Sequence, residues 1–330
     1  GIGDIRKDFR IPLHASTQCA IRTPEQAAFL ESAGFSRLIL ERELSLEQIK
    51  AIRSAVSCEL EFFVHGALCV CYSGQCYLSE KIAGRSANRG SCIQACRSRY
   101  DLVDSEGKVL VRDKALLSLK DYNLRERLEE LAEAGITSFK IEGRLKDADY
   151  VKNVTAAYSQ ALDAIIAKHS QQFCRASSGH SLLKFKPNVY KSFNRGFVRD
   201  TSKPDANFDT PKAMGEAINV QTTLHNGDGL CYIEKGKLVG FRLNNAAAFH
   251  PVKGIQYFRN QDIEWDKMLS KSSAERQIAV DIEIHDDQGK VFEPDTYDGS
   301  VTVSVKKDGA KDGSEILVAR EAKKGGFEEP

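Results

Sequence analysis

Along the first half of the chain, apolar positions switch repeatedly between a period of two and a helical period. Ile11-Pro12-Leu13-His14-Ala15, Arg37-Leu38-Ile39-Leu40 and Glu61-Phe62-Phe63-Val64 read as short strands. Between them, residues 23–33 read as a helix capped by Thr23 with Pro24 at its first position and Gly34 as its stop. A second helix runs from Ser45, a cap with Gln48 three residues on, to Val56. The alternation resumes with a strand over 115–119, a helix over 124–134 ended by Gly135, the strand Ser138-Phe139-Lys140-Ile141 and a long helix over 148–168. Strands that alternate with helices predict a parallel sheet covered by helices.

Five such units, about 20 to 25 residues apart once residues 66–100 are set aside as an insertion, suit a (β/α)8 TIM-type barrel. A dinucleotide fold would show a Gly-rich first turn, which is absent here. Five strands cannot close a ring of eight. The expectation is therefore either that about three N-terminal units are missing from the sequence or that the sheet is open. From Cys174 the pattern changes to turns and short alternating strands, around Gly215, Gly229 and Leu238, with Asn226-Gly227-Asp228-Gly229 as the strongest hairpin signal. This predicts a partial barrel over 1–173, a basic linker with a small β-barrel over 174–270 and a β-rich segment over 271–330. Residues 308–313 and the charged tail from Glu321 are expected to be solvated.

Composition narrows the class only modestly. With 47 Lys and Arg against 46 Asp and Glu the net charge is +1, so attraction to an anionic partner must come from local patches. No apolar run approaches the roughly 18 residues of a membrane span, and the start lacks a signal-peptide pattern, which predicts a cytoplasmic protein away from membranes.

In a barrel of this type, polar residues at the C-terminal ends of strands converge on one pocket. Four strands here end that way: at His14 to Gln18, at Glu41-Arg42-Glu43, at His65-Gly66, and at Lys140-Ile141-Glu142-Gly143-Arg144. His65, Lys140, Glu142 and Arg144 are thus candidates for proton transfer and anion binding, and His14, Gln18, Arg89 and Arg195 for substrate contact.

Nine cysteines are present, and Cys69, Cys71, Cys76, Cys92 and Cys96 crowd into one stretch. A disulfide scaffold would spread them in pairs through a small secreted domain, so metal ligation is favoured. Their spacing is neither the CxxC pair of structural zinc nor a close-set ferredoxin run, which leaves a 4Fe-4S cluster, Zn²⁺ and free thiols open. Cys71 alternates with Cys69 and would point away from it if the strand exit stays extended. Cys19, Cys58, Cys174 and Cys231 read as buried small hydrophobes.

Two stretches are locally basic. Lys81, Arg85, Arg89, Arg97 and Arg99 have no acid among them. Residues 184–212 mix seven Lys and Arg and three Asp with Phe185, Tyr190, Phe193 and Phe197. Interleaved cations and aromatics suit RNA, though basic loops are common without it.

At His14 to Gln18, Glu61 to Cys76, Asn88-Arg89-Gly90 with Cys92 and Cys96, Ser118 to Asp121, and Phe139 to Arg144, the sequence resembles the collagenase-like peptidase U32 family. Phe193-Asn194-Arg195-Gly196-Phe197 and Thr210-Pro211-Lys212 resemble its branch for 23S ribosomal RNA cytidine hydroxylation. The resemblance implies oxygen-independent hydroxylation of ribosomal RNA or of the transfer RNA wobble uridine, with prephenate implicated as hydroxyl source. It also implies a 4Fe-4S cluster on Cys69, Cys76, Cys92 and Cys96. Cys71 stands where relatives carry a small residue, and the family's N-terminal barrel strands are not seen. The family name offers peptide cleavage as the competing reading, but no HExxH or GxSxG signature is present.

Overall fold

The computed structural model of the protein describes residues 11–177, 179–199, 205, 208–210, 212–277, 280–286, 300–307 and 316–321. These fall into two compact units, Gly1–Ile165 with Pro187–Lys271, and Ile166–Lys186 with Ser272–Pro330.

The first unit opens with β1 (His14–Ala15), α1 (Pro24–Ser32), β2 (Arg37–Ile39), α2 (Leu46–Ala55) and β3 (Glu59–Gly66). Thr23 and Ser45 cap α1 and α2 through reciprocal boxes with Gln26 and Gln48, so each cap satisfies otherwise orphaned N–H groups. After β3 come the cysteine segment with α3 (Leu78–Ala83), a hairpin of β4 (Tyr100–Val103) and β5 (Val109–Lys114), β6 (Asp121–Asn123), α4 (Leu128–Glu133), β7 (Ser138–Ile141) and α5 (Ala148–Lys168). β1, β2, β3 and β7 lie side by side, and each adjacent pair is parallel.

The period of two sorts the two faces of this sheet. Leu38, Leu40, Leu60, Phe62 and Val64 are fully buried in one cluster with Ile49 and Ile52 of α2 and Leu128 and Leu131 of α4. Each such side chain contributes about 1.5–3 kcal/mol by leaving water. The register that pairs Phe63 with Lys140 and Ile39 with Glu61 sets charged groups beside buried apolar ones on the opposite face. There Glu61 accepts from Ser138 at 2.8 Å and pairs with Lys140 at 3.0 Å and Arg37 at 3.5 Å.

The strand expected over 115–119 does not form. Ala115 and Lys120 give their N–H groups to the carbonyls of Phe208 and Asp205, and Ser118 turns back onto Ala115. The chain joins the sheet only at β6, antiparallel to the end of β3 and parallel to Phe197–Val198.

Further along the first unit, Glu216–Ala217, Gly229–Glu234, Lys237–Arg242 and Phe258–Gln261 form a four-stranded antiparallel sheet. Its tight hairpin lies at Lys235-Gly236, both with positive φ (48° and 72°), which suits the right-handed twist of the flanking strands. Asn226-Gly227 makes a turn that leads into a strand instead. Gly227 and Asp228 pair with the backbone of Leu243, and the Asp228 carboxylate accepts from the N–H groups of His225 and Ile263.

In the second unit His180–Leu183 pairs antiparallel with Ala274–Gln277, and Val280–Asp286, Ser300–Lys307 and Ile316–Glu321 form an antiparallel meander. The expected solvated segments, 308–313 and the tail beyond Glu321, lie outside the described residues. Among the described residues no helix is long and apolar enough to cross a membrane.

Candidate functional site

The four polar strand ends meet at one edge of the parallel sheet. Gly66, at the end of β3, has φ +105°, and a Cβ there would come within 2.7 Å of the Glu142 Cβ. Only a glycine lets the two strand ends approach this closely. The Glu142 N–H then bonds the His65 carbonyl at 2.9 Å, and the Tyr150 hydroxyl donates to the Glu142 carbonyl at 3.1 Å.

The cysteine segment folds over this edge. The exit from β3 does not stay extended: the backbone bends at Val70-Cys71 and turns at Ser73-Gly74. Gly74 packs on the Gln18 backbone, where a Cβ would meet the carbonyl oxygen at 2.8 Å. Tyr72 lies 4.7 Å from the Arg22 guanidinium, and Ser73 donates to Glu43 at 3.3 Å. The loop is thus laid across the ends of β1 and β2. Asn88 accepts from the Cys76 N–H at 2.9 Å, and Ser79 from the Ile93 N–H at 3.2 Å, which joins the two halves of the segment. Arg97 ties it to the sheet by donating to the Leu68 carbonyl at 2.6 Å, to Ser118 at 3.1 Å and to the Leu119 carbonyl.

These anchors gather all five thiols. Cys69 lies near Cys92, Cys96 near Cys69, Cys92 and Cys76, and Cys71 near Cys76, Cys69 and Cys96. Cys71 therefore joins the cluster and does not point away from it, because the bent exit breaks the strand alternation. Burial raises the thiols of Cys69 and Cys96 above the usual range, and it pushes Cys71 up to about 11 with help from Cys76. Arg42 and Arg97 act in the opposite sense on Cys69. Two N–H donors point at sulfur, Arg42 at Cys69 (3.4 Å) and the Gln94 backbone at Cys92 (3.3 Å). An all-sulfur donor set with nearby cations and N–H donors suits an iron-sulfur cluster, and among the described residues no three of the sulfurs lie within 4.8 Å of one another, a wider spread than the ligand shell of a single zinc ion. Of the four cysteines expected to be buried hydrophobes, Cys231 is buried and Cys58 half-buried, while Cys19 and Cys174 are exposed. Cys19 ends a 3-10 turn at the exit of β1, where its neighbours face solvent.

The remaining candidates divide by position. His65 is buried. Its Nδ1 lies 3.2 Å from the Tyr158 hydroxyl, which itself donates to the Val64 carbonyl at 2.8 Å. Burial, with Lys146 and Arg125 nearby, lowers its pKa to about 3, so the ring stays neutral. Lys140 lies on the sheet face of Glu61 and Phe63, against both. Arg144 is exposed and gives its backbone N–H to the Glu142 carboxylate at 2.9 Å. His14, Gln18 and Arg89 are exposed. Arg195 is buried and paired with Asp121 at 3.1 Å.

The sequence reading passed over two residues of this edge. Arg42, seen only as part of an acidic-basic strand end, joins Glu142 (3.0 Å) to Cys69. Lys146 lies four residues past Glu142. Its Nζ lies 3.3 Å from the Phe193 ring centroid and 5.3 Å from that of Tyr150. Burial lowers its pKa to about 8, against the pull of Asp121, Glu142 and Asp147. No local motif separates such a lysine from a solvated one. Beside it Phe193 and Tyr190 remain partly exposed. Arg195 sits 4.7 Å from the Phe193 centroid, and the Arg199 guanidinium donates to the Tyr190 hydroxyl at 2.8 Å. A separate grouping, His225, Asp228 and Asp262, holds no spare charge for a cation, because Arg259 pairs with both carboxylates and Lys191 with Asp262.

A parallel α/β sheet with a five-cysteine segment folded over its strand ends defines the class, and residues 2–206 match the model of Peptidase family U32, to which the chain belongs. Over 336 aligned positions it is 44% identical to the 23S rRNA 5-hydroxycytidine C2501 synthase of Escherichia coli, covering 92% of this chain and 51% of that protein. It is 38% identical over 163 residues to the tRNA hydroxylation protein P1 of Bacillus subtilis (48% of this chain, 39% of that protein). It is 30% identical over 201 residues to a collagenase of Porphyromonas gingivalis (57% and 46%). The chain thus spans about half or less of the length of these curated relatives. No solved structure matches it.

Proposed function

We propose that this chain is part of an RNA-modifying enzyme that hydroxylates a base without molecular oxygen, with a ribosomal RNA cytidine as the favoured target. The observation that carries this reading is the convergence of five thiols on the same sheet edge as Glu142, Arg42 and Lys146, next to the exposed aromatics Phe193 and Tyr190. The name of the E. coli relative supplies the target.

In this reading the four parallel strands are an arc of a (β/α)8 barrel, and Cys69, Cys76, Cys92 and Cys96 hold a 4Fe-4S cluster, with zinc as the alternative. Bound there, such a cluster would supply one-electron transfer or Lewis acidity. The chain's own groups do the rest. Glu142, fixed by Arg42 and by the Arg144 N–H, is placed to accept a proton, and Lys146, with a pKa of about 8, to give one. Arg144 and Lys146 form a cationic rim for an anionic co-substrate. A dicarboxylate such as prephenate, as hydroxyl source, suits that charge. Tyr190 and Phe193, both partly exposed, offer aromatic surface against which an unpaired base packs, with Arg199 and Arg89 for phosphates.

Peptide cleavage, suggested by the collagenase-named relatives, would need an activated nucleophile. His65 bonds Tyr158 and not a thiol, so it is not paired with a cysteine nucleophile.

Mass spectrometry of ribosomal and transfer RNA from a strain lacking the gene tests the reading. Loss of one oxygen mass at a single rRNA cytidine is expected, a loss confined to tRNA moves the target to the wobble uridine, and unchanged RNA of both kinds refutes it.

A further inference from the structure

We propose that Arg42 is a positioning residue that couples the cysteine site to Glu142, so that the charge at residue 142 sets the reduction potential of the group held by the thiols. This rests on the iron-sulfur reading above.

The geometry is specific. Arg42 follows β2, and the Tyr122 hydroxyl pins its backbone carbonyl at 2.6 Å. Its guanidinium lies 3.8 Å from the Phe63 ring centroid, and its side chain is only 13% exposed. One terminal nitrogen donates to the Cys69 sulfur (3.4 Å) and the Ala67 carbonyl (3.3 Å), while the other donates to Glu142 at 3.0 Å. The Nε is enclosed without a hydrogen-bond partner. A buried cation held this tightly between a ligand sulfur and a carboxylate is shared by both. An aromatic floor and the low exposure of the Arg42 side chain leave the charge weakly screened at the guanidinium, while Cys69 as a whole residue is exposed.

Its consequence follows from charge. Reduction adds an electron to the cluster, and a cation with an N–H donor on a ligand sulfur stabilises the reduced state more than the oxidised one. Arg42 therefore raises the potential, and Glu142 offsets part of its charge. Arg97 and Glu43 also face Cys69, but neither touches Glu142 in the described residues, so the link between the two sites runs through Arg42.

The test is a spectroelectrochemical titration of the anaerobically reconstituted chain as wild type, Arg42→Met, Arg42→Lys, Glu142→Gln and the Arg42→Met/Glu142→Gln pair. Arg42→Met is expected to shift the oxidised-to-reduced ratio at a fixed poise about tenfold toward oxidised, which is about 59 mV for one electron. Glu142→Gln should shift it the other way, and most of that shift should vanish in the double variant. Arg42→Lys, which keeps the charge but not the fork, should fall between wild type and Arg42→Met. Coincident potentials for Arg42→Met and wild type, or a Glu142→Gln shift of equal size with and without Arg42, would overturn the inference alone. A wild-type chain that takes up no iron overturns the cluster reading and this inference with it. If Arg42→Met itself fails to take up iron, Glu142→Gln decides, and an unmoved potential there is a refutation.

Discussion

Gly66 and Glu142 touch where β3 and β7 leave the sheet, and this contact sets the spacing of the whole edge. Any side chain at 66 meets both the Glu142 Cβ at 2.7 Å and a backbone of φ +105°. Gly66→Ala is expected to cost about 1–3 kcal/mol of stability from backbone strain, plus the displacement of Glu142. Urea denaturation measures the first, and the second should appear as lost activity in whatever fraction stays folded. A variant with wild-type stability and activity would show that the strand ends are not held by this contact.

His65 makes the stability depend on pH in a defined direction. Its pKa is about 3 in the fold against about 6.5 unfolded, so between those values the unfolded chain binds the proton and the folded one does not. Its contribution is therefore present above pH 6.5 and is lost as pH falls toward 3. The slope approaches about 1.4 kcal/mol per pH unit in that window. Replacing His65 by Phe or Gln should flatten the urea midpoint between pH 6.5 and 4.5 relative to wild type. Equal slopes would mean the ring is protonated in the fold.

RNA contact at Phe193 and Tyr190 gives a prediction separable from the chemistry. Stacking of a base on an aromatic ring is worth about 1–3 kcal/mol, so Phe193→Ala or Tyr190→Ala should weaken binding of a single-stranded RNA by about five- to 150-fold. Arg199→Ala should lower the slope of log affinity against log salt by about 1, as expected for one lost phosphate contact. Filter binding across a salt series checks both, and unchanged affinities would place the RNA elsewhere.

How much of this was legible in the sequence depended on how local each cause was. The two capping boxes, Thr23 with Gln26 and Ser45 with Gln48, and the glycine stop at 34 are short-range, and the helices form where they say. Residues 115–119 misled because their short apolar run resembles a strand, whereas the backbone partners of Ala115 and Lys120, Phe208 and Asp205, lie 93 and 85 positions away. The thiol cluster was visible as crowding. The convergence of Arg42, Glu142 and Lys146 was not, since it is made by two successive parallel pairings, Arg37 with Glu59 and Glu61 with Ser138, the second across 77 positions. Arg195 looked like a free substrate contact until Asp121 was seen beside it.

The assignment of four ligands among five thiols is the sharpest test of the site. Cys71 lies within the cluster beside Cys76, so position alone does not exclude it. Cys69 and Cys92, by contrast, each receive an N–H donor at sulfur, the contact that a metal-bound sulfur accepts. Family resemblance adds Cys76 and Cys96. Single Ser replacements at 69, 76, 92 and 96 should each lower iron and acid-labile sulfide severalfold in anaerobically purified protein and bleach the visible absorbance. Cys71→Ser should keep both at wild-type levels. If Cys71→Ser loses the cluster while Cys76→Ser retains it, the ligand role passes from Cys76 to Cys71. Stoichiometric zinc with no iron in the wild type would replace the redox centre by a structural or Lewis-acid site on the same thiols.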